Sequence, residues 1–450
     1  MSRSTRRLVT FVAAATVATT LAACGGGGGS SGSSGGKNEA SDTGVTADSI
    51  KIGATYPLTG VAAPGYSEIP LGVQAYFDYV NKHGGVNGRK IQYEYKDDAY
   101  NPTQTSSITN QLVLQDKVFA VMGALGTPTH SAVVDFLNSE GVPDLFVASG
   151  SLTWNDGKKN PETFGWQTDY EIEGKVLGQY IKQNFAGKKI GLFLQGDDFG
   201  ADGAKGVKEY VPQSQIVSEQ TYTPGNTDVG PQIAALKAAG AEVVVGFNVP
   251  AYTALSQLVS LKLGFKPTWF YSNVGSDATL VGNLLKNFSQ GQVQNAASLE
   301  GAYSTRYLPT VDRTDDPWIQ LFKKVWTDSG QQGDLTNFKV YGMAQAYSTV
   351  QALQAAGQNP TRQSIVKAIE TDGKNWQSAL VAPLRYSDKP SSNSHAGVGG
   401  MTVAQISNGG VKDLTPVLTT TNGSGSDPKE SSAKEATPPS SGIPDVKPVS

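Results

Sequence analysis

Along residues 49–271 the spacing of apolar positions changes repeatedly between two periods. Residues 49–55 (SIKIGAT) alternate apolar and polar, as a strand does, whereas 71–82 carry Val73, Phe77 and Val80 at helical spacing. The exchange continues with a strand over 91–95, a helix over 103–114, a strand over 118–122, a helix from about 129 to 138 and a strand over 144–148. A second run follows: helix 172–184, strand 189–195, a helix near 203–210, strand 216–222, helix 229–239, strand 242–247, helix 252–263 and strand 268–271. Beyond it the pattern predicts a strand over 299–304 and helices over 318–328, 336–356 and 362–370. Residues 402–407 and 412–417 then form a hairpin about Asn408-Gly409-Gly410.

A β-α-β order of this kind implies an α/β fold, with mainly parallel sheets flanked by helices, here as two units in tandem. Ligands of such sheets bind beyond the carboxyl ends of the strands, which directs attention to a cleft between the units. The stretch VMGALGTPTHSAVV (121–134) is a strand, a small-residue loop and a helix start, an arrangement that aims backbone N–H groups at an anion. It has neither the lysine of a phosphate loop nor the glycine spacing of a dinucleotide fold.

The two ends of the chain add a location. Arg3, Arg6 and Arg7 precede a mildly apolar stretch, 8–20, that is too short to span a bilayer of ~30 Å. Leu21-Ala22-Ala23-Cys24 resembles a bacterial lipobox, and Cys24 is the only cysteine. The expectation is a lipoprotein signal peptide over 1–23, a lipid on Cys24, a Gly/Ser tether over 24–47 and residence on the outer face of the cytoplasmic membrane. With Cys24 so used, no disulfide or cysteine-based metal site is left within one chain. The match to G-x-G-x-x-G at Gly27, Gly29 and Gly32 lies in that tether, with no strand before it, and follows from composition alone. Residues 419–450, rich in Ser, Pro, Gly, Lys and Glu, are expected to be a disordered tail. The net charge of −3, with acids and bases interspersed, argues against nucleic acid as a partner.

Several segments together resemble a known family: IKIGATYPLTG (50–60), VNKHGGVNGRKIQYEYKDDAYNP (80–102), VFAVMGALGTPTHSAV (118–133), EGVPDLFVAS (140–149), GKKIGLFLQGDDFGADG (187–203) and TPGNTDVGPQIAALKAAGAEVVVGF (223–247). In order and spacing they are similar to periplasmic binding proteins of type I fold, in the leucine/isoleucine/valine-binding branch that serves ABC importers. The resemblance implies two lobes joined by three crossovers and closing on a ligand as a hinged clamp. Lobe 1 would be 48–168 plus 302–376 and lobe 2 169–301 plus 377–418, with crossovers near Thr168, Gly301 and Trp376. It further implies a small-molecule ligand bearing a carboxylate, an ABC permease as membrane partner, no cofactor and no catalysis.

By the same resemblance, Gly126 and Thr127 hold the ligand carboxylate, and Ala148, Ser149 and Ser151 form a second contacting loop in which one serine reaches the ligand. Tyr66 and Phe199 are the aromatic walls of the two lobes, and Tyr170 lines the cleft beside the first crossover. Where amino-acid-binding relatives carry an acid for the ligand ammonium, the loop here is Ser272-Asn273-Val274-Gly275, with no carboxylate before Asp277, and Asn248 is likewise neutral. An unpaired buried ammonium is costly, so the ligand is either an amino acid with another amine partner or an acid or amide without an amine.

His130 is expected to be a partly exposed neighbour of the helix start, and with His83 and His395 scattered elsewhere no transition-metal site is expected. Asp97 and Asp98 are adjacent in a strand, face opposite ways and make no catalytic pair. Two other classes are compatible with an exported α/β clamp: a sensor that signals to a membrane receptor, and, less readily, a secreted hydrolase.

Overall fold

A computed structural model describes residues 37–449; the signal peptide and Cys24 lie outside the described residues. The first sheet has five parallel strands, β1 (Ser49–Tyr56), β2 (Lys90–Asp97), β3 (Ala120–Met122), β4 (Asp144–Val147) and β5 (Thr163–Gly165), in the order β2-β1-β3-β4-β5. β1 begins with alternating burial and is then buried on both faces, because helices cover both sides of a parallel sheet. Helices Ile69–Lys82, Pro317–Ser329, Asn337–Ala355 and Arg362–Asp372 pack on one face. Leu112, Val113, Val133 and Leu137 make a smaller core on the other.

The second sheet is built around parallel strands β6 (Ile190–Gln195), β7 (Ile216–Tyr222), β8 (Val243–Phe247), β9 (Thr268–Tyr271) and β10 (Tyr303–Arg306). Antiparallel strands β11 (Gly400–Ser407), β12 (Gly410–Asp413), β13 (Leu418–Thr419) and β14 (Lys429–Glu430) extend it, and β11 and β12 form the hairpin about Asn408. Its order is β14-β13-β11-β10-β9-β8-β6-β7, with β12 pairing off that path onto β11. In each lobe a pair of helices crosses closely over glycine. A Cβ on Gly72 would collide with the carbonyl of Lys339 and one on Gly342 with that of Ile69; Gly174 and Gly206 play the same part between helices Tyr170–Asn184 and Asp198–Lys208.

Several boundaries differ from the sequence-based expectation. Tyr303–Arg306 is a strand of the second sheet, so the second crossover follows Arg306 instead of lying near Gly301. Residues 377–398 stay with the first lobe: the Tyr386 hydroxyl donates to the Gly165 carbonyl at 2.8 Å, and His395 stacks on Phe164 with centroids 3.9 Å apart. The chain therefore crosses near Val398, whose backbone bridges to Thr168, and not near Trp376. The helix expected over 129–138 is two, Thr127–Ser131 and Val134–Ser139, and a helix Ala278–Phe288 was not expected at all.

The tether ends before residue 47, since Ser41 donates to the Pro360 carbonyl at 2.6 Å and Val45 is 3% exposed. The C-terminal segment is no free tail. Lys175 reaches the carbonyls of Thr421 and Gly423, Trp318 Nε1 donates to Ala436 at 2.7 Å, and Tyr76 donates to Gly442 at 2.7 Å. A polar, proline-rich strand of chain can be fixed by backbone hydrogen bonds to a folded surface although it has no apolar period of its own.

Candidate functional site

The carboxyl ends of β1, β3, β4, β9 and β10 face one cavity of about 310 Å³. Both lobes wall it. From the first come Tyr66, Tyr100, Gly126, Thr127 and Ala148; from the second, Phe199, Val249 and Asn273. The lobes are in contact around it: Gln195 Nε2 donates to the Tyr100 hydroxyl at 3.3 Å, Leu152 N to Asp202 Oδ2 at 3.0 Å, and Asn337 Nδ2 to Asp277 Oδ2 at 2.8 Å. The inner wall is accordingly enclosed, with Phe199 at 1%, Thr127 at 3% and Tyr170 at 4% exposure.

Gly126 is the N-cap of helix Thr127–Ser131 at φ 110°, a value that favours glycine, and no side chain caps the helix. Pro128 has no N–H, so the amides at the helix start are those of Thr127 and Thr129, neither bonded to a capping side chain, and Thr127 is the one at the cavity wall. Thr127 is no cap: its Oγ1 pairs with Ser149 Oγ at 2.7 Å. Thr129 Oγ1 turns back to the Leu125 carbonyl at 2.6 Å. Tyr170 stands against Phe199 with centroids 4.4 Å apart. Burial raises its phenol to about 12, against the opposing pull of the Gly150 backbone and the Ser149 and Thr127 hydroxyls. Burial likewise holds Tyr66, Tyr100, Tyr307 and Tyr341 well above the ordinary phenol value, so the wall is a set of neutral O–H groups and ring faces.

Of the ten residues singled out by sequence, the cavity brings together Tyr66, Gly126, Thr127, Ala148, Tyr170, Phe199 and Asn273. Ser149, Ser151 and Asn248 do not line it. Ser149 lies behind Thr127, the Ser151 hydroxyl accepts from Thr153 N at 3.2 Å, and Asn248 Nδ2 is turned to Thr253 Oγ1. His130 is also corrected: it is 1% exposed, with Nε2 2.7 Å from Asp144 Oδ2 and its ring edge-on to Trp154. Asp97 and Asp98 lock the turn after β2, with Asp97 accepting from Leu58 N and Ala99 N and Asp98 from Tyr100 N.

The structure adds wall residues that the sequence reading missed. Tyr100 and Tyr307 follow the carboxyl ends of β2 and β10, a position at which an aromatic residue was a usable signal. Phe338 and Tyr341 come from helix Asn337–Ala355, and Tyr341 donates to Gln167 Oε1 at 2.7 Å; nothing local in the sequence marks them. The neutral loop after β9 has a buried acid beneath it. Glu173, on helix Tyr170–Asn184, accepts from Asn273 N at 2.7 Å, Ser272 Oγ at 2.8 Å and Thr305 Oγ1 at 2.5 Å. Burial raises its pKa. Asp277 does reach the wall, but its oxygens accept from Leu280 N and Asn337 Nδ2. Arg306 is held by Asp413 at 2.9 and 2.6 Å.

Two lobes that meet over an enclosed, donor-lined cavity define a solute-binding clamp. The family of periplasmic binding proteins matches residues 49–411, and this chain belongs to it. Leu/Ile/Val-binding protein homolog 3 of Brucella melitensis is 27% identical over 349 residues, covering 75% of this chain and 87% of its own. Two solved structures have the same fold. One is a fatty acid ABC transporter substrate-binding protein from Thermomonospora curvata, with TM-score 0.70, 23% identity and coverage of 87% of this chain and 94% of its own. The other is a solute-binding protein of an ABC transporter from R. palustris in complex with 4-hydroxybenzoate, with TM-score 0.68, 19% identity and coverage of 83% and 97%. Family and neighbours are binding proteins and not enzymes, which removes the hydrolase reading, and the family works outside the cytoplasm.

Proposed function

We propose that this protein is the lipid-anchored solute-binding component of an ABC importer. Tethered through Cys24, it captures a small carboxylate-bearing solute by closure of its lobes and delivers it to a membrane permease. The observation that carries this reading is the inner end of the cavity, where the uncapped start of helix Thr127–Ser131 adjoins the Thr127 hydroxyl. Amide and hydroxyl donors suit an anion. The described wall contains no lysine, and its one arginine is engaged by Asp413. In this reading Gly126 and Thr127 bind the carboxylate, Ser149 orients Thr127, and Tyr66, Tyr170 and Phe199 enclose the rest of the ligand.

The ligands named for the relatives (Leu/Ile/Val, 4-hydroxybenzoate, a fatty acid) share a carboxylate and differ elsewhere. Beside the inner end an α-ammonium would find only acids already engaged, Glu173 by three donors and Asp277 by two; the remaining acid of the described wall, Asp312, stands at the exposed mouth. This favours an acid without an α-amine. The test is calorimetric titration of the purified protein with 4-methylpentanoate, 4-methylpentanamide and leucine, which share one carbon skeleton. Binding of the acid above the other two is the expected outcome. Equal binding of the amide would remove the carboxylate from the reading, and binding of leucine alone would restore an ammonium partner.

A further inference from the structure

The cavity is longer than a branched-chain amino acid requires. On the second sheet its wall includes Thr305 and Arg306, which pair with Val403 and Thr402 of β11. It also includes Gly410 and Val411, which pair with Ser407 and Ile406 of the same strand. Projected on β11, which runs between them without itself lining the cavity, these two groups of wall residues are five strand steps apart, or roughly 16 Å at ~3.3 Å per residue. Gly126 and Thr127 wall the same cavity from the first lobe, to which the chain passes after Arg306. Leucine extends only about 5 Å from its carboxyl carbon to its last methyl.

This distal stretch is a channel of apolar side chains: Val274, Ala278, Leu308, Pro309, Val311 and Val411. Along it Arg306 and Arg313 are paired with Asp413, and Asp277 with Asn337 and the Leu280 backbone; the one unpaired charge of the described wall, Asp312, stands at the exposed mouth beside Gly410. It opens at Asp312, Thr279 and Gly409, all three exposed, while the inner end is enclosed. An enclosed polar head and an open apolar channel suit a molecule with one charged end and a long hydrocarbon body.

Resting on the carboxylate reading above, we propose that the natural ligand class is straight-chain carboxylates of about eight to twelve carbons, with the head at Gly126–Thr127 and the acyl chain along the channel toward Gly410. Each methylene placed in the channel leaves water, so affinity rises roughly fourfold per carbon until the channel is filled.

The test is calorimetric titration of the delipidated protein with the even alkanoates from butanoate to dodecanoate, below their micellar concentrations, beside leucine and 4-hydroxybenzoate. The expected result is a steady gain per methylene that levels off near decanoate. Val411→Trp and, independently, Val311→Trp obstruct the far end; both residues are only half-buried, and circular dichroism confirms that each variant is folded. Either should abolish the gain for the long acids and leave butanoate unchanged. Equal affinity for short and long acids, or long acids unaffected by both obstructions, overturns this proposal and leaves carboxylate capture standing. Binding of no carboxylate at all overturns both.

Discussion

Replacing Asp202 by asparagine should make the protein more stable at neutral pH and remove a pH dependence. Asp202 sits on helix Asp198–Lys208 and accepts the Leu152 N–H of the other lobe at 3.0 Å. Burial raises its pKa from 3.8 to about 7, and Asp198, Asp169 and Glu171 push the same way. The nearby cations are committed elsewhere, Lys205 to Glu171 and Arg385 to Asp169. Since the folded pKa exceeds the unfolded one, the folded protein holds an extra proton between about pH 4 and 7. This carboxyl's contribution is therefore most favourable at the acid end of that window and is lost as pH rises through it. The full shift corresponds to a ceiling of about 4 kcal/mol, and partial exposure to water reduces it to about 2 kcal/mol. Asparagine keeps an acceptor for Leu152 without the charge. Thermal unfolding by circular dichroism from pH 4.5 to 8.5 should give coincident midpoints at the acid end and a variant several degrees more stable at pH 8. A constant offset at every pH, or a variant less stable at pH 8, would refute the argument.

Thr127→Val should weaken carboxylate binding by about 1–2 kcal/mol in calorimetry, with Ser149→Ala losing less because Ser149 acts through Thr127; unchanged affinity in both removes the hydroxyl from recognition. Gly342→Ala puts a methyl into the Ile69 carbonyl at the crossing of two buried helices. It should cost about 1–3 kcal/mol in denaturant unfolding, and a midpoint unchanged from wild type would contradict that crossing. Arg306→Met leaves Asp413 with Arg313 alone in a half-buried setting and should destabilise by about 3 kcal/mol, read from the same unfolding curves. Truncation after Ser431 removes the acceptors of Trp318, Tyr76 and Tyr79 and should lower the unfolding temperature, whereas equal temperatures would mean that these contacts contribute nothing.

Strand and helix periods were legible because a parallel sheet imposes them, and most strands of both lobes were anticipated within a few residues. Helix Ala278–Phe288 was legible as well, although it was not expected: Asp277 caps it through Leu280 N, and Val281, Leu284 and Leu285 recur at helical spacing despite Gly282 and two asparagines. The site was legible where chain and cavity coincide, at the strand ends that carry Thr127 and Ala148. It was not legible in side-chain direction. Ser149 and Ser151 flank the same loop and both turn away, a choice made by Thr127 and by the cap of Thr153. Phe338 and Tyr341 reach the cavity from a helix far along the chain, and Glu173 reaches the Asn273 loop from another; only tertiary packing brings these together. His130 was expected near solvent because a helix start usually is, but here Asp144 and Trp154 cover it.

The C-terminal segment also sets a limit on motion. Ser431 is fastened to the second lobe at the Val417 carbonyl and Ala436 to the first at Trp318. The five residue steps between these anchors can stretch to about 17 Å and no further. While both anchors hold, the strap is a stop of fixed length between Val417 and Trp318, and how far the two lobes can part at that point is written into the number of residues between two hydrogen bonds.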